Sequence, residues 1–344
     1  MKYILCLLVS VLLFVGCGKK GENAPVSKDE IKVDSTELKL SASSNPNQSV
    51  NLTYKLEKDK TYRYRLVMLT DQEMSQTGTV NRSDKGVQTL IYIMNLTPVN
   101  VDNDGTMDIR FNIVKVKMDV NATGKKITYE SGVTKDTAGQ FFDQEAMVNN
   151  PFEARISKSG EIVEVSKTDK IVAKLIELAK GKIDVNQKEQ LKGQIVDGQL
   201  KPLIGQIFRE LPLNSVNKNY TWTKDQAPSQ MPPFTVKSKN VYKIQDLGEL
   251  SGDKVITLNI GLETIFEGKK EISQNGANYK FNDPKLITEG KVYFNVDKGY
   301  PQQVKTHFIL EQSFSATGKD QKGQMQKGDQ SQRIDRKTIV DLLK

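Results

Sequence analysis

The sequence predicts an α+β fold: one large curved antiparallel β-sheet, a half-barrel or open barrel, packed by a few helices from the middle of the chain. Three observations carry this. Apolar and polar residues alternate from Val50 to Val120, and again from Tyr220 to Phe314. Helical spacing is confined to residues 168–210. Nowhere do strands and helices take turns, as a parallel sheet would require.

The elements follow in order. Met1-Lys2 gives a positive start, and Ile4 to Val15 is an apolar run broken only by Ser10. That run is too short to span a bilayer and has the layout of a secretory signal over residues 1–16. Residues 17–48 hold no aromatic side chain and many Ser, Lys and Asn, so they read as a flexible tether. A coil of that length has a root-mean-square reach of roughly 30 Å.

Residues 49–344 read as a single β-rich domain. Val50, Leu52, Tyr54 and Leu56 alternate with polar residues, and Lys58-Asp59-Lys60 turns the chain. Tyr62, Tyr64, Leu66, Met68 and Thr70 then alternate with Arg63, Arg65 and Asp71. Val67 and Leu69 soften the polar face, which implies that part of it is covered. Gln88 to Val101 is apolar on both faces at Leu90-Ile91-Tyr92-Ile93-Met94 and reads as a central strand. Asp102-Asn103-Asp104-Gly105 turns it into Thr106 to Val120, where the apolar parity switches between Ile113 and Val114, as at a β-bulge.

Phe152 to Ile156 and Ile162 to Val165 form a short hairpin. The helical insertion at 168–210 is interrupted by Gly193, Gly198, Pro202 and Gly205, so two or three short helices are expected. Phe234 to Ile244 with Val255 to Phe266, and Lys291 to Val296 with Gln303 to Phe314, are further hairpins. Residues 315–332, rich in Gly, Gln, Lys and Asp, read as a low-complexity loop. The type of 333–344 stays open, although Ile334 and Thr338-Ile339-Val340 suit a closing strand.

Composition narrows function. The formal charge is +8, but acids are interleaved with bases along the chain, the pattern of a solvated surface. For an exported protein, nucleic acid is not the expected partner. Only Cys6 and Cys17 are cysteines, and Cys6 lies in the leader, so no disulfide is expected. His307 is the only histidine, placed with Lys305 and Glu311 on a polar strand face. One histidine without a second thiol assembles neither a zinc site nor a Cys–His pair, and no Gly-x-Ser-x-Gly elbow presents a serine.

In Asp102-Asn103-Asp104-Gly105-Thr106-Met107-Asp108, the twelfth position of a calcium loop would be Phe111, which cannot ligate, so a hairpin turn is expected. Neither a metal nor a cofactor is implied, and no catalytic residue is assigned. The aromatics Tyr62, Tyr64, Tyr92, Phe111, Phe294 and Phe308, with Phe314, are the one feature a binding role could use. They could line an apolar ligand on the concave face, or simply fill the core against the helices.

Phe14-Val15-Gly16-Cys17 resembles the lipobox of bacterial lipoproteins, with Phe14 where Leu is commoner. The resemblance implies cleavage before Cys17 and lipid on its sulfur and amino group, hence a membrane partner. With Gly18 rather than Asp after the cysteine, it points to the periplasmic face of the outer membrane.

Beyond the lipobox, the Lys60-Thr61-Tyr62-Arg63-Tyr64 strand with Gln72 and Gln76, and Glu210-Leu211-Pro212 before Trp222, resemble a group of uncharacterised Gram-negative envelope lipoproteins over most of residues 50–315. The layout is also similar to the half-barrel of periplasmic lipoprotein carriers, by architecture alone. The expected function is therefore non-enzymatic binding of a partner protein or an apolar ligand. The alternatives are a carboxylate-based hydrolase of envelope polymers and a carrier of lipid-like cargo. Metabolic labelling with a palmitate analogue should tag the product, with maturation at the Gly16–Cys17 bond.

Overall fold

The computed structural model describes residues 26–78, 81–136, 139–179, 187–274, 276–319 and 324–343. The expected leader, Cys17 and the first part of the expected tether lie outside these residues. Strands occur at β1 (Ser41–Ala42), β2 (Tyr62–Thr77), β3 (Arg82–Val101), β4 (Met107–Ala122) and β5 (Lys125–Glu130). After helix α1 (Phe142–Met147) come β6 (Phe152–Ile156) and β7 (Ile162–Ser166). The helical layer is α2 (Asp169–Ala179), α3 (Lys188–Ile195), a π-helical turn over Val196–Leu200, and α4 (Lys201–Ile207).

The chain then returns to strands: β8 (Thr221–Asp225), β9 (Ser229–Met231), β10 (Phe234–Leu250), β11 (Asp253–Gly268), β12 (Glu271–Gln274) and β13 (Ala277–Phe281). It ends with β14 (Lys285–Asn295), β15 (Tyr300–Lys319) and β16 (Met325–Leu342). All named strand pairs are antiparallel and form one open sheet in the order β1-β10-β11-β14-β15-β16-β2-β3-β4-β6-β7. The α+β sheet that the sequence predicts is thus the fold, open rather than closed into a barrel.

The bulge falls where the parity switch places it. Ile93 opposes Lys115 and Met94 opposes Ile113, so Val114 is the extra residue. The last strand differs from expectation. Residues 315–319 and 325–332 are not a loop but the paired ends of β15 and β16, aligned without a shift from Gln303↔Asp341 to Lys319↔Met325. Ser, Thr, Gln and Gly there carry no apolar alternation because neither face of the sheet is buried at that end. Backbone pairing alone sets the structure, and composition does not record it. The C-terminal strand also lies mid-sheet, joining β2 to β15.

One face of the sheet, here the inner face, wraps the helices. Ile171, Val172 and Leu175 of α2 and Leu203, Ile204 and Ile207 of α4 are buried against Leu66, Leu96, Phe294 and Val340. Phe208 touches Phe111 of β4 at 6.3 Å, while the Trp222 indole of β8 donates to Glu210 O at 3.0 Å, so the segment after α4 bridges the two halves of the sheet. Residues 50–56 alternate as predicted, with Leu52, Tyr54 and Leu56 buried, yet they form no sheet strand. Their backbone N–H groups reach two elements: Tyr54 donates to Lys158 O and Lys55 to Gly299 O, each at 2.9 Å.

On the outer face a small cluster of Val67, Ile91, Ile93 and Ile339 is capped by Val26 and Ile31. The cover implied by Val67 and Leu69 is therefore the chain's own N-terminal segment. From Val26 to Ala42 the expected tether is docked as a strap. Arg65, buried beside Asp341 at 2.8 Å, donates to Lys32 O at 2.9 Å. Gln303 donates to Thr36 O at 3.0 Å and accepts from Leu38 N at 3.2 Å. Glu30 pairs with Arg63 at 2.6 Å, Glu37 pairs with Lys291 at 2.7 Å, and β1 pairs with β10. Polar backbone groups of the strap thus meet buried polar side chains, which is why a segment with few apolar residues can dock.

Gly160 turns β6 into β7 at φ +91°, and a Cβ there would collide with Arg209 O and lie 2.6 Å from Tyr54 Cε2. Gly160→Ala should destabilise the protein by more than about 1–3 kcal/mol, the cost of the backbone conformation alone. The urea midpoint measures it.

Candidate functional site

Cross-strand partners share a face, so the uninterrupted register of β15, β16 and β2 sorts their side chains in rows. The row Leu66–Val340–Val304–Val292 lies in the core beneath the helices. The next inner rows run away from it: Met68–Thr338–Thr306–Gly290, Thr70–Arg336–Phe308–Thr288, Gln72–Ile334–Leu310–Leu286 and Met74–Gln332–Gln312. In these four rows Arg336 is the only charged residue. The corresponding outer rows hold Lys337, His307 and Glu289, then Asp71 and Asp335, then Glu73, Arg333, Glu311 and Lys285. The strands therefore present a charged outer face and an almost uncharged inner one.

The helices cover only part of the inner face. Their rim is marked by a cavity of about 350 Å³ lined by Met68, Tyr92, Gln199, Pro202, Gln206 and Arg336, among others. Beyond it Phe308, Leu310, Ile334 and Met74 are half-buried and belong to neither apolar cluster. The far end of this floor carries a separate group of aromatics. Phe281 lies 5.2 Å from Phe314 and 6.2 Å from Phe234, and Tyr279 lies 6.0 Å from Phe314. The floor is open, apolar in part, and bounded at both ends.

The expected ligand-lining aromatics divide. Tyr62, Tyr64, Tyr92, Phe111 and Phe294 are buried and make core contacts; Tyr64 is 1% exposed and donates to Pro301 O at 3.0 Å. Burial raises the Tyr92 hydroxyl to about 12, so it stays neutral. Phe308 alone of that set lies on the open floor, directly opposite Arg336. Phe314 stands at its far end. Cys17 lies outside the described residues. Sequence reading missed Arg336, Leu310 and Ile334. The available signal was the period-two run Ile334-x-Arg336-x-Thr338-x-Val340, hidden by the uncertain type of that segment.

A cavity of about 670 Å³ opens instead on the outer face, between the strap at Ser35 and Glu37 and the side chains of Lys291, Lys305, His307 and Lys337. His307 Nε2 lies 2.8 Å from Asp335 Oδ1, and Arg333 donates to Asp335 Oδ2 at 2.8 Å. Burial works to raise the Asp335 carboxyl, but His307 and Arg333 together hold it below the usual range. Lys291 and then the Tyr293 hydroxyl hold the Glu37 carboxyl below its ordinary value. In the turn read against a calcium loop, Asp102 and Asp108 are engaged by Arg155, with Arg155 Nη1 at 2.9 Å from Asp108 Oδ1. Among the described residues no group of His, Cys, Asp and Glu is placed to hold a metal ion, and no helix is long and apolar enough to cross a membrane.

These features define an open antiparallel sheet with a covered core at one end and a bare, nearly uncharged floor at the other. The chain belongs to DUF6263, a family of unknown function whose profile matches residues 104–301, from the turn before β4 to the start of β15. No curated protein matches its sequence. Among solved structures, lipovitellin, described in terms of lipid–protein interactions, aligns with 84% of this chain at 12% identity and a TM-score of 0.43. The aligned part is 26% of lipovitellin, about a quarter of its length. The OpdQ structure of Pseudomonas aeruginosa aligns with 80% of this chain and 98% of its own at 5% identity and a TM-score of 0.19. A BenF-like porin from Pseudomonas fluorescens Pf-5 covers 83% and 99% at 6% identity and 0.17. Likenesses of this size carry no functional argument, and the site stands on its own geometry.

Phe294→Ala, in the core at 0% exposure, should lower unfolding stability by about 3–5 kcal/mol. Leu310→Ala, on the floor, should cost less than about 1 kcal/mol. Chemical denaturation of the two variants checks that the floor is a surface and not a second core.

Proposed function

We propose that this chain is a lipid-anchored protein of the cell envelope, held through Cys17 at the periplasmic face of the outer membrane, which binds an apolar ligand without catalysing a reaction. The anchor rests on the lipobox-like Phe14-Val15-Gly16-Cys17. The binding role rests on one observation: beyond the helix rim, no element among the described residues covers Phe308, Leu310, Ile334 and Met74, on strands whose charges other than Arg336 are directed to the other side. A contiguous run of half-buried apolar side chains on an open sheet face offers a surface for an apolar ligand to cover. The filled core under the helices argues against a deep cavity. The ligand therefore lies along the floor.

The hydrolase alternative would use the outer cavity, where Glu37 and Glu289 both contribute. Glycoside hydrolysis needs one carboxyl kept protonated by its surroundings. Glu37 is pushed the other way by Lys291 and Tyr293, and Glu289 is 72% exposed beside His307. That geometry supports ion pairing better than acid catalysis.

The chain from Gly18 onward keeps every described residue and is the form to purify. Native mass spectrometry should show co-purified apolar mass that organic extraction removes. Bare mass under conditions that keep the fold would overturn the binding role.

A further inference from the structure

Arg336 is the one charged residue at the inner positions of β2, β14, β15 and β16, and its surroundings set it apart from the other arginines of the sheet. Arg65, Arg110, Arg155 and Arg333 each pair with a carboxylate at 3.2 Å or less. Among the described residues, the only polar partner of Arg336 is Thr70 Oγ1, which accepts from Nε at 3.3 Å. The cavity it lines at the helix rim has no acidic side chain in its wall; its polar groups are Tyr92, Gln144, Gln199 and Gln206. The nearby Asp143 is engaged by Gln199, which donates to it at 3.2 Å. A guanidinium with no carboxylate partner among the described residues therefore stands at the helix-rim end of the floor, and the charges in register toward the far end, Asp84 opposite Met74 and Arg82 opposite Gln76, pair with each other.

From Phe308, opposite Arg336, the floor continues along β15 to Phe314 and the aromatic end group, a length of about 20 Å at the rise of an antiparallel strand. We infer that the ligand of this floor is a long-chain carboxylate, its head group paired with Arg336 at the helix rim and its chain laid over Phe308, Leu310 and Ile334 toward Phe314. This assignment rests on the apolar-ligand reading above and adds the head group and the direction of binding. A planar guanidinium fork matches a carboxylate with two parallel hydrogen bonds. One cation balances one negative charge, whereas a phosphate monoester carries more than one at neutral pH and would leave the excess unpaired over an apolar floor.

The test is calorimetric titration of palmitate, hexadecanol and hexadecyl phosphate into the chain from Gly18 onward, into Arg336→Gln and into Leu310→Glu. Palmitate should bind at least about tenfold more tightly than hexadecanol, the scale of a charge-assisted pair. Arg336→Gln should erase that difference, and Leu310→Glu should weaken both ligands. Equal binding of palmitate and hexadecanol, or palmitate affinity unchanged in Arg336→Gln, overturns the head-group assignment while the apolar-ligand reading stands. Tighter binding of hexadecyl phosphate overturns the choice of carboxylate. If none of the three binds to a chain whose far-ultraviolet circular dichroism shows it folded, both readings fail together.

Discussion

The structure depends on the register of β16. This C-terminal strand pairs with β15 over Gln303↔Asp341 to Lys319↔Met325 and with β2 over Tyr64↔Leu342 to Thr77↔Asp329, without a bulge on either side. It is the seam between the N-terminal strands β2–β7 and the C-terminal strands β8–β15. Side chains alternate with a period of two, so a slip of one residue would carry Lys337, Asp335 and Arg333 onto the inner face and Ile334 and Val340 onto the outer one. Val340 sits in the core, and Asp341 is held by Arg65 and Gln303 beneath the strap. These two adjacent residues, one apolar and one acidic, fix the parity of the whole seam. The sorting of charge that leaves Arg336 alone on these strands' inner floor is a consequence of that parity.

Much of the fold was legible from residues 50–314, because burial on one face writes a period-two pattern into a strand. The bulge at Val114 was visible as a parity switch, and the short helices as helical spacing broken by glycines. Elements without a buried face left no such pattern. The distal half of β15 is paired on both sides and that of β16 on both sides as far as Asp329, yet neither has a buried face, so Ser315, Thr317, Gln326 and Gln330 look like a linker. The hairpin of β12 and β13 escaped for the same reason. The strap escaped for a different one: its docking uses backbone carbonyls of Lys32, Ser35 and Thr36, and a carbonyl has no letter in the sequence.

The candidate site was half legible. Aromatic residues drew attention to the inner face, but five of the six assigned to it fill the core, as inward aromatics on strands commonly do. What distinguishes the floor is that Arg336 is the single charge over four neighbouring rows of β2, β16, β15 and β14, which appears only once the strands are aligned. Leu286, Leu310, Ile334 and Gln72 lie far apart in sequence and side by side in the sheet. A site made of such rows belongs to the pairing and not to any segment.

The strap alters how such a body would hang from a membrane. A leash running from Cys17 to Ala42 could let the domain tumble freely. With the chain moored from Val26 onward on the outer face, Cys17 is nine residues away in sequence, a separation that covalent geometry limits to about 30 Å. An acylated N-terminus would then keep the charged side of the sheet turned toward the headgroups and present the neutral side to the aqueous compartment.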